Sequence, residues 1–203
     1  MKIDIEIKQP QHTPLLIVIS GPSGIGKDAV VKGLRARQLP FHFVVTATSR
    51  PPRVNEVNGV DYYFYSKEEF EALIAAGEFF EHAKVYSDYK GVPKSQARQA
   101  LETGLDVVMR LDFQGAKTVR TLSPDAILIF LTASSSDEWI QRLKRRRSES
   151  EEELLVRIQT AKQEYDSLDI FDYIVVNKEG QLDRTLDIIE NIITAEHHRV
   201  HPR

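Results

Sequence analysis

The seven residues Gly21-Pro22-Ser23-Gly24-Ile25-Gly26-Lys27 constrain this chain more than any others. They follow an apolar run, Leu15 to Ile19, with the length and composition of a short buried strand. After them comes an amphipathic run with Ala29, Val30, Val31 and Leu34. A strand that breaks into a G-x-x-x-x-G-K loop and continues as a helix is the setting of a phosphate-binding loop. Its glycines let the backbone curl until successive N–H groups converge on an anion, with the helix N-terminus behind them. Lys27 then reaches the β- and γ-phosphates of a nucleotide. Asp28 stands where such loops usually carry Ser or Thr to ligate magnesium. Its carboxylate either acts on the metal through water or favours the positive end of the helix.

With 203 residues, a single domain holding a sizeable core is expected. The net charge is −3, so no global field favours nucleic acid or an anionic membrane, and cationic groups for phosphate must be concentrated locally. The absence of cysteine excludes disulfides, thiolate catalysis and zinc–thiolate sites. No basic segment followed by an apolar core opens the chain, and no apolar run reaches the length of a membrane span. A cytoplasmic location is therefore expected.

The order of elements reads as α/β. Residues 1–13 alternate at Ile3, Ile5 and Ile7, as either an extra edge strand or a loose tail. Phe41–Val45 reads as a strand, Thr46–Gly59 as a loop, Val60–Tyr65 as strand-like and Phe79–Val85 as a strand. Ser66 with Glu69 forms a capping-box pattern for a helix through Ile74 that Gly77 ends, and Pro93 opens another helix to about Glu102. Leu105–Leu111 and Ala126–Leu131 are apolar runs expected of buried parallel strands, each followed by a helix, from about Gln114 and Ser136. Ser150 with Glu153 predicts a long helix to about Leu168, then a strand over Tyr173–Val176 and a helix over 181–198. The expected fold is a three-layer α/β domain around a parallel sheet, interrupted by a small subdomain within residues 46–90.

A second motif runs from Thr46 to Phe64 and carries Arg50, Arg53 and Tyr62. The two arginines lie three apart in a proline-stiffened loop, and guanidinium forks suit a phosphate monoester bidentately. This stretch resembles the segment of guanylate kinases that holds the acceptor nucleotide. The resemblance continues through Gly77-Glu78-Phe79-Phe80-Glu81, Asp112-Phe113-Gln114-Gly115-Ala116, Arg142-Leu143, Arg157 and Phe171 to Asn177, over roughly residues 15–190. It implies a P-loop nucleoside monophosphate kinase fold with a core over about 14–45 and 93–198, a GMP-binding subdomain over about 46–92 and a lid over about 142–157. It also implies that Arg50, Arg53 and Tyr62 grip the GMP phosphate, that Thr46, Glu81 and Asp112 meet the base, and that Arg142, Arg146 and Arg157 close over ATP. Asn177 matches the position near the adenine. ATP and magnesium are implied, the ion held mainly by phosphates and water, with GMP as acceptor and a monomer or homodimer as the assembly.

Lys90, Val92 and Arg110 depart from that family. Lys90 occupies the position of a tyrosine that touches the GMP phosphate, and can replace it only as a mobile point charge. Val92 cannot donate to guanine. Arg110 stands where an acidic residue often precedes Asp112 by two, and either adds charge to the reaction centre or faces outward. Arg145 and Arg147 read as solvated or paired with neighbouring glutamates, and His197, His198 and His201 as a frayed tail or a metal site. The expected activity is phosphoryl transfer from ATP to GMP. A phosphosugar kinase on the same scaffold and a non-catalytic binding module are the alternatives.

Overall fold

The central strand β1, Leu16–Ser20, alternates its side chains between two apolar cores, and the rest of the architecture follows from that. A computed structural model describes residues 13–145, 151–201 and 203. Ile17 and Ile19 enter one core, while Val18 enters the other. A strand buried on both faces needs helices on both sides, which is the physical reason for three layers.

In the main sheet β1 lies between β7, Asp106–Arg110, and β8, Ile127–Thr132, with β2, Phe41–Phe43, and β9, Tyr173–Val176, at the edges. All pairs are parallel: Ile17 faces Val108 on one side and Ile127 on the other. On the first face pack α1, Lys27–Ala36, α5, Ser136–Arg145, α6, Glu151–Tyr165, and α7, Leu182–His197. Gly33 sits where a Cβ would come within 2.6 Å of Leu186 Cδ1, so α1 and α7 approach closely there. The second face is covered by α3, Lys94–Glu102, and α4, Phe113–Leu122, through Ala100, Ala116 and Val119. Burying side chains such as Ile17 and Ile129 stabilises the fold by roughly 1.5–3 kcal/mol each.

A second, four-stranded sheet runs β4-β3-β6-β5, made of Tyr63–Phe64, Ala47–Thr48, Asp88–Pro93 and Phe79–Val85. Its own small core is aromatic: Phe70 of α2, Lys67–Ala75, stacks on Phe79 at 4.4 Å and on Tyr89 at 5.5 Å. The expected capping box holds, Ser66 Oγ accepting from Glu69 N at 3.1 Å and Ser66 N donating to Glu69 Oε2 at 2.7 Å.

Three expectations need correction. The stretch 46–59 is not all loop, because Ala47–Thr48 is clamped as β3 between β4 and β6. The strand expected over Val60–Tyr65 shortens to Tyr63–Phe64, since Val57–Asp61 turns on itself, Asp61 N donating to Val57 O at 3.0 Å. The long helix ends at Tyr165 rather than Leu168, and Leu168–Ile170 forms a separate 3₁₀ turn. The N-terminal alternation over residues 1–12, the Ser150 cap and Arg146 and Arg147 lie outside the described residues. His197 belongs to α7 and its Nε2 lies 2.7 Å from Asp106 Oδ2, and among the described residues no His, Cys, Asp or Glu group could hold a metal ion.

Candidate active site

The loop between β1 and α1 is shaped by glycines that nothing else could replace. Gly21, at φ 135°, lies where a Cβ would sit 2.4 Å from the Leu131 carbonyl oxygen. Gly26, at φ 99°, lies where a Cβ would meet Asn177 Nδ2 at 2.5 Å. Both features require glycine, through the left-handed backbone and through close approach. Lys27 bends back over the loop, its ammonium donating to the carbonyl of Gly21 and, at 3.1 Å, to that of Pro22.

Neighbouring helices brace this loop from behind. Trp139 Nε1 donates to Ser23 O at 2.8 Å. Arg142 donates to Ile25 O at 3.2 Å and to Asn177 O at 2.7 Å, and pairs with Glu138. Asn177 is buried, its amide donating to Ile25 O at 2.8 Å and its carbonyl accepting from Thr185 Oγ1 at 3.1 Å. Arg142 and Asn177 thus stand on the far side of the loop, bordering a surface pocket with Gly24 and Gly26. Arg145 pairs with Glu179, thirty-four residues further along the chain.

On the near side, Gly21, Ser23–Asp28, Arg50, Arg53, Tyr62, Lys90, Asp112 and Arg157 line one cleft. A smaller cavity adjoins it, lined by Thr46, Glu81 and Arg110. Lys27, Tyr62, Lys90 and Asp112 belong to both walls. Residues distant in sequence meet here because the ends of β1 and β7, the β3 and β6 strands and the face of α6 converge on one point. Arg157 reaches the loop by donating to Ser23 Oγ and lies over the Tyr86 ring at 4.7 Å.

The acceptor-side cations are held before any ligand arrives. Arg50 forms a two-pronged pair with Glu56, both bonds 2.7 Å, and lies over the Tyr62 ring at 4.9 Å. Arg110, 9% exposed, neither faces outward nor stands free at the reaction centre: it bonds Asp28 Oδ1 at 2.8 Å and Asp61 O at 2.7 Å. Asp28 is therefore more than an end-of-helix charge. Val92 is fully buried in the second core.

Electrostatics in this space are strained by burial. Desolvation, then the neighbouring Lys90 charge, lowers Lys27 to about 8. Burial likewise lowers Lys90. Glu81 points inward from β5 and is raised to about 8 by desolvation and then by Asp112. Gly115 makes room for it, since a Cβ there would lie 3.0 Å from Glu81 Oε2. Asp112 caps α4, Oδ1 accepting from Gly115 N at 3.1 Å.

Glu164 is the cleft residue that sequence reading missed. It is buried, its Oε2 has no hydrogen-bond partner among the described residues, and burial raises its pKa. The available signal was its spacing: Arg157, Ala161 and Glu164 recur at four and three residues, which puts them on one face of α6.

Comparison with known proteins identifies the family. The family described as "Guanylate kinase" matches residues 13–196. Over 195 residues the chain is 49% identical to "Guanylate kinase 2, chloroplastic/mitochondrial" of Oryza sativa subsp. japonica, covering 96% of this chain and 68% of that protein. It is 42% identical to a guanylate kinase of Caldanaerobacter subterraneus subsp. tengcongensis, covering 92% of this chain and 89% of the relative. The crystal structure of guanylate kinase from Anaplasma phagocytophilum superposes with a TM-score of 0.74 at 28% identity, covering 94% of this chain and 89% of that one. The chain belongs to the guanylate kinase family.

Proposed function

We infer that this protein transfers the γ-phosphoryl group of ATP to GMP, giving ADP and GDP. The observation that carries the reading is the pair of adjoining cavities whose shared walls are Lys27, Tyr62, Lys90 and Asp112. A donor phosphate cradle and a cavity lined by two carboxylates meet at the two lysines, as in-line transfer requires.

The GMP phosphate oxygen attacks the γ-phosphorus, forming one O–P bond as the bond to the β-γ bridging oxygen breaks. No side-chain nucleophile is needed, so the protein contributes position and charge. The backbone of Gly21, Pro22, Ser23, Gly24, Ile25 and Gly26 cradles the ATP phosphates, and Lys27 leaves its loop carbonyls to follow the transferring group. Arg50, Arg53, Tyr62 and Lys90 hold the GMP phosphate, while Thr46, Glu81 and Asp112 read guanine. Arg157, with Arg146 of the segment outside the described residues, closes over the ATP phosphates. Arg142 and Asn177 fix the loop and border the pocket read as facing the adenine. Residues 46–92 act as the acceptor-binding part and 142–157 as the lid, whose closure excludes water.

The donor set fits a magnesium ion carried in on the ATP phosphates, not one caged by protein. Among the described residues no three His, Cys, Asp or Glu side chains cluster, Asp28 is engaged by Arg110, and the buried Oε2 of Glu164 could accept from a water carried by the ion. Bound there, such an ion would supply positive charge to the ATP phosphates. The cysteine-free composition suits a reducing compartment such as the cytoplasm, and among the described residues no helix is long and apolar enough to cross a membrane. The deciding experiment is coupled ADP release across a panel of nucleoside and sugar phosphates. GMP should dominate, and equal turnover of a phosphosugar would overturn the reading.

A further inference from the structure

Position 28 opens α1 directly after Lys27, in the wall that receives phosphates. A bare carboxylate there would repel every ligand this cleft is built to bind. Arg110, eighty-two residues away on β7, answers it with Nη1 2.8 Å from Asp28 Oδ1. Its Nη2 donates to Asp61 O at 2.7 Å and approaches Thr46 Oγ1 at 3.5 Å. The same guanidinium lies 3.9 Å from the centroid of the Tyr62 ring, whose hydroxyl donates to Asp28 Oδ1 at 3.3 Å. One planar cation therefore touches the donor loop's helix, the acceptor segment and the aromatic ring between them. Arg53 approaches Asp28 Oδ2 at 3.9 Å, a longer contact from the acceptor segment.

We propose that Asp28 and Arg110 are an obligate charge-compensating pair, in which Arg110 is a positioning residue that neutralises Asp28 and sets the Tyr62 ring at the junction of the donor and acceptor sites. The two departures at these positions are then one feature. A neutral residue at 28 needs no cation at 110, and an acid at 28 does. A lysine at 110 would match the charge but not the simultaneous grip on Asp61 O and Thr46, because one ammonium cannot present a planar fork. This rests on the kinase reading above only for the identity of the acceptor.

The test is a double-mutant cycle read by methylanthraniloyl-ATP fluorescence titration and by the GMP KM. Arg110→Gln should weaken methylanthraniloyl-ATP binding about tenfold or more, and adding Asp28→Ser should return it to within about threefold of wild type. A double variant as weak as Arg110→Gln alone would mean that Arg110 acts by packing only, and overturns the pair. Wild-type nucleotide affinity in a folded Arg110→Gln protein overturns it too. Should Arg110→Gln fail to fold, Arg110→Lys decides: methylanthraniloyl-ATP affinity should stay within about threefold while the GMP KM rises about tenfold, and the opposite split overturns the proposal. Absence of GMP turnover in the wild type would sink the functional reading instead, and the nucleotide titration would still stand.

Discussion

Glu81 and Asp112 face one cavity from two different elements, β5 and the start of α4, so that two carboxyl groups share a space too dry for both charges. Burial first, and Asp112 second, hold Glu81 up to about 8, so it carries a proton at neutral pH in the empty site. Ionised, it accepts from the N1–H and amine of guanine. Protonated, it can donate to the N1 acceptor of adenine.

Discrimination between GMP and AMP is therefore expected to grow as pH rises from 6 to 8, with GMP binding releasing close to one proton near neutrality. Calorimetry in buffers of different ionisation enthalpy reads the proton, and kcat/KM ratios read the selectivity. Glu81→Gln should raise the GMP KM and flatten the pH dependence. The linkage sign is fixed by the raised pKa: the contribution of Glu81 to stability is present below its unfolded value and lost as pH rises through about 8. Glu81→Gln should thus raise the melting temperature of the empty protein more at pH 8 than at pH 5. A constant GMP/AMP ratio across this range would remove Glu81 from base reading.

Removing the Lys27 ammonium should lower turnover by about 10²- to 10³-fold or more with the fold intact, because its charge follows the transferring phosphoryl group. Since burial lowers Lys27 to about 8, kcat/KM for ATP should also decline above that pH as the free enzyme loses the proton. A folded Lys27→Ala variant with near-normal transfer contradicts the assignment.

Lys90 offers the acceptor phosphate a point charge where a tyrosine hydroxyl would be neutral. The GMP KM of the wild type should therefore climb more steeply with salt than that of Lys90→Tyr, from low to high ionic strength. Equal slopes would take Lys90 out of contact with the phosphate.

Gly21→Ala places a methyl group 2.4 Å from the Leu131 carbonyl oxygen at a φ of 135°. The backbone of β8 cannot retreat without breaking its pairing with β1, so a loss of about 2–4 kcal/mol is expected in urea denaturation. A loss under about 0.5 kcal/mol would show that the loop relaxes freely.

The legible parts of this chain are those in which local pattern and tertiary demand coincide. Phe79–Val85 and Tyr173–Val176 form the expected strands, and the Ser66–Glu69 cap needs nothing beyond its own residues. β6 was not legible, because Asp88–Pro93 contains Lys90, Gly91 and Pro93 and becomes a strand only through its pairing with β5 and β3. In the site, the lysine and the two arginines of the Thr46–Phe64 segment could be read from spacing. The direction of Arg142 could not, since it depends on where the Asn177 carbonyl ends up after folding. The Asp28–Arg110 contact was equally hidden: each residue looked anomalous alone, and only the neighbouring ends of β1 and β7 bring them together.

The central place of β1 also sets an order of assembly. Ile17 needs Val108 on one side and Ile127 on the other, so the strand feeding the phosphate loop stays unpaired until more than half of the chain has emerged. Contacts so far apart in sequence slow folding and leave apolar edges open meanwhile. A nascent chain released before β8 would own the complete Gly21–Lys27 motif and no Leu131 carbonyl for Gly21 to lie against. During synthesis, the ability to bind nucleotide should therefore appear late and abruptly, as a property of the closed sheet and not of the motif.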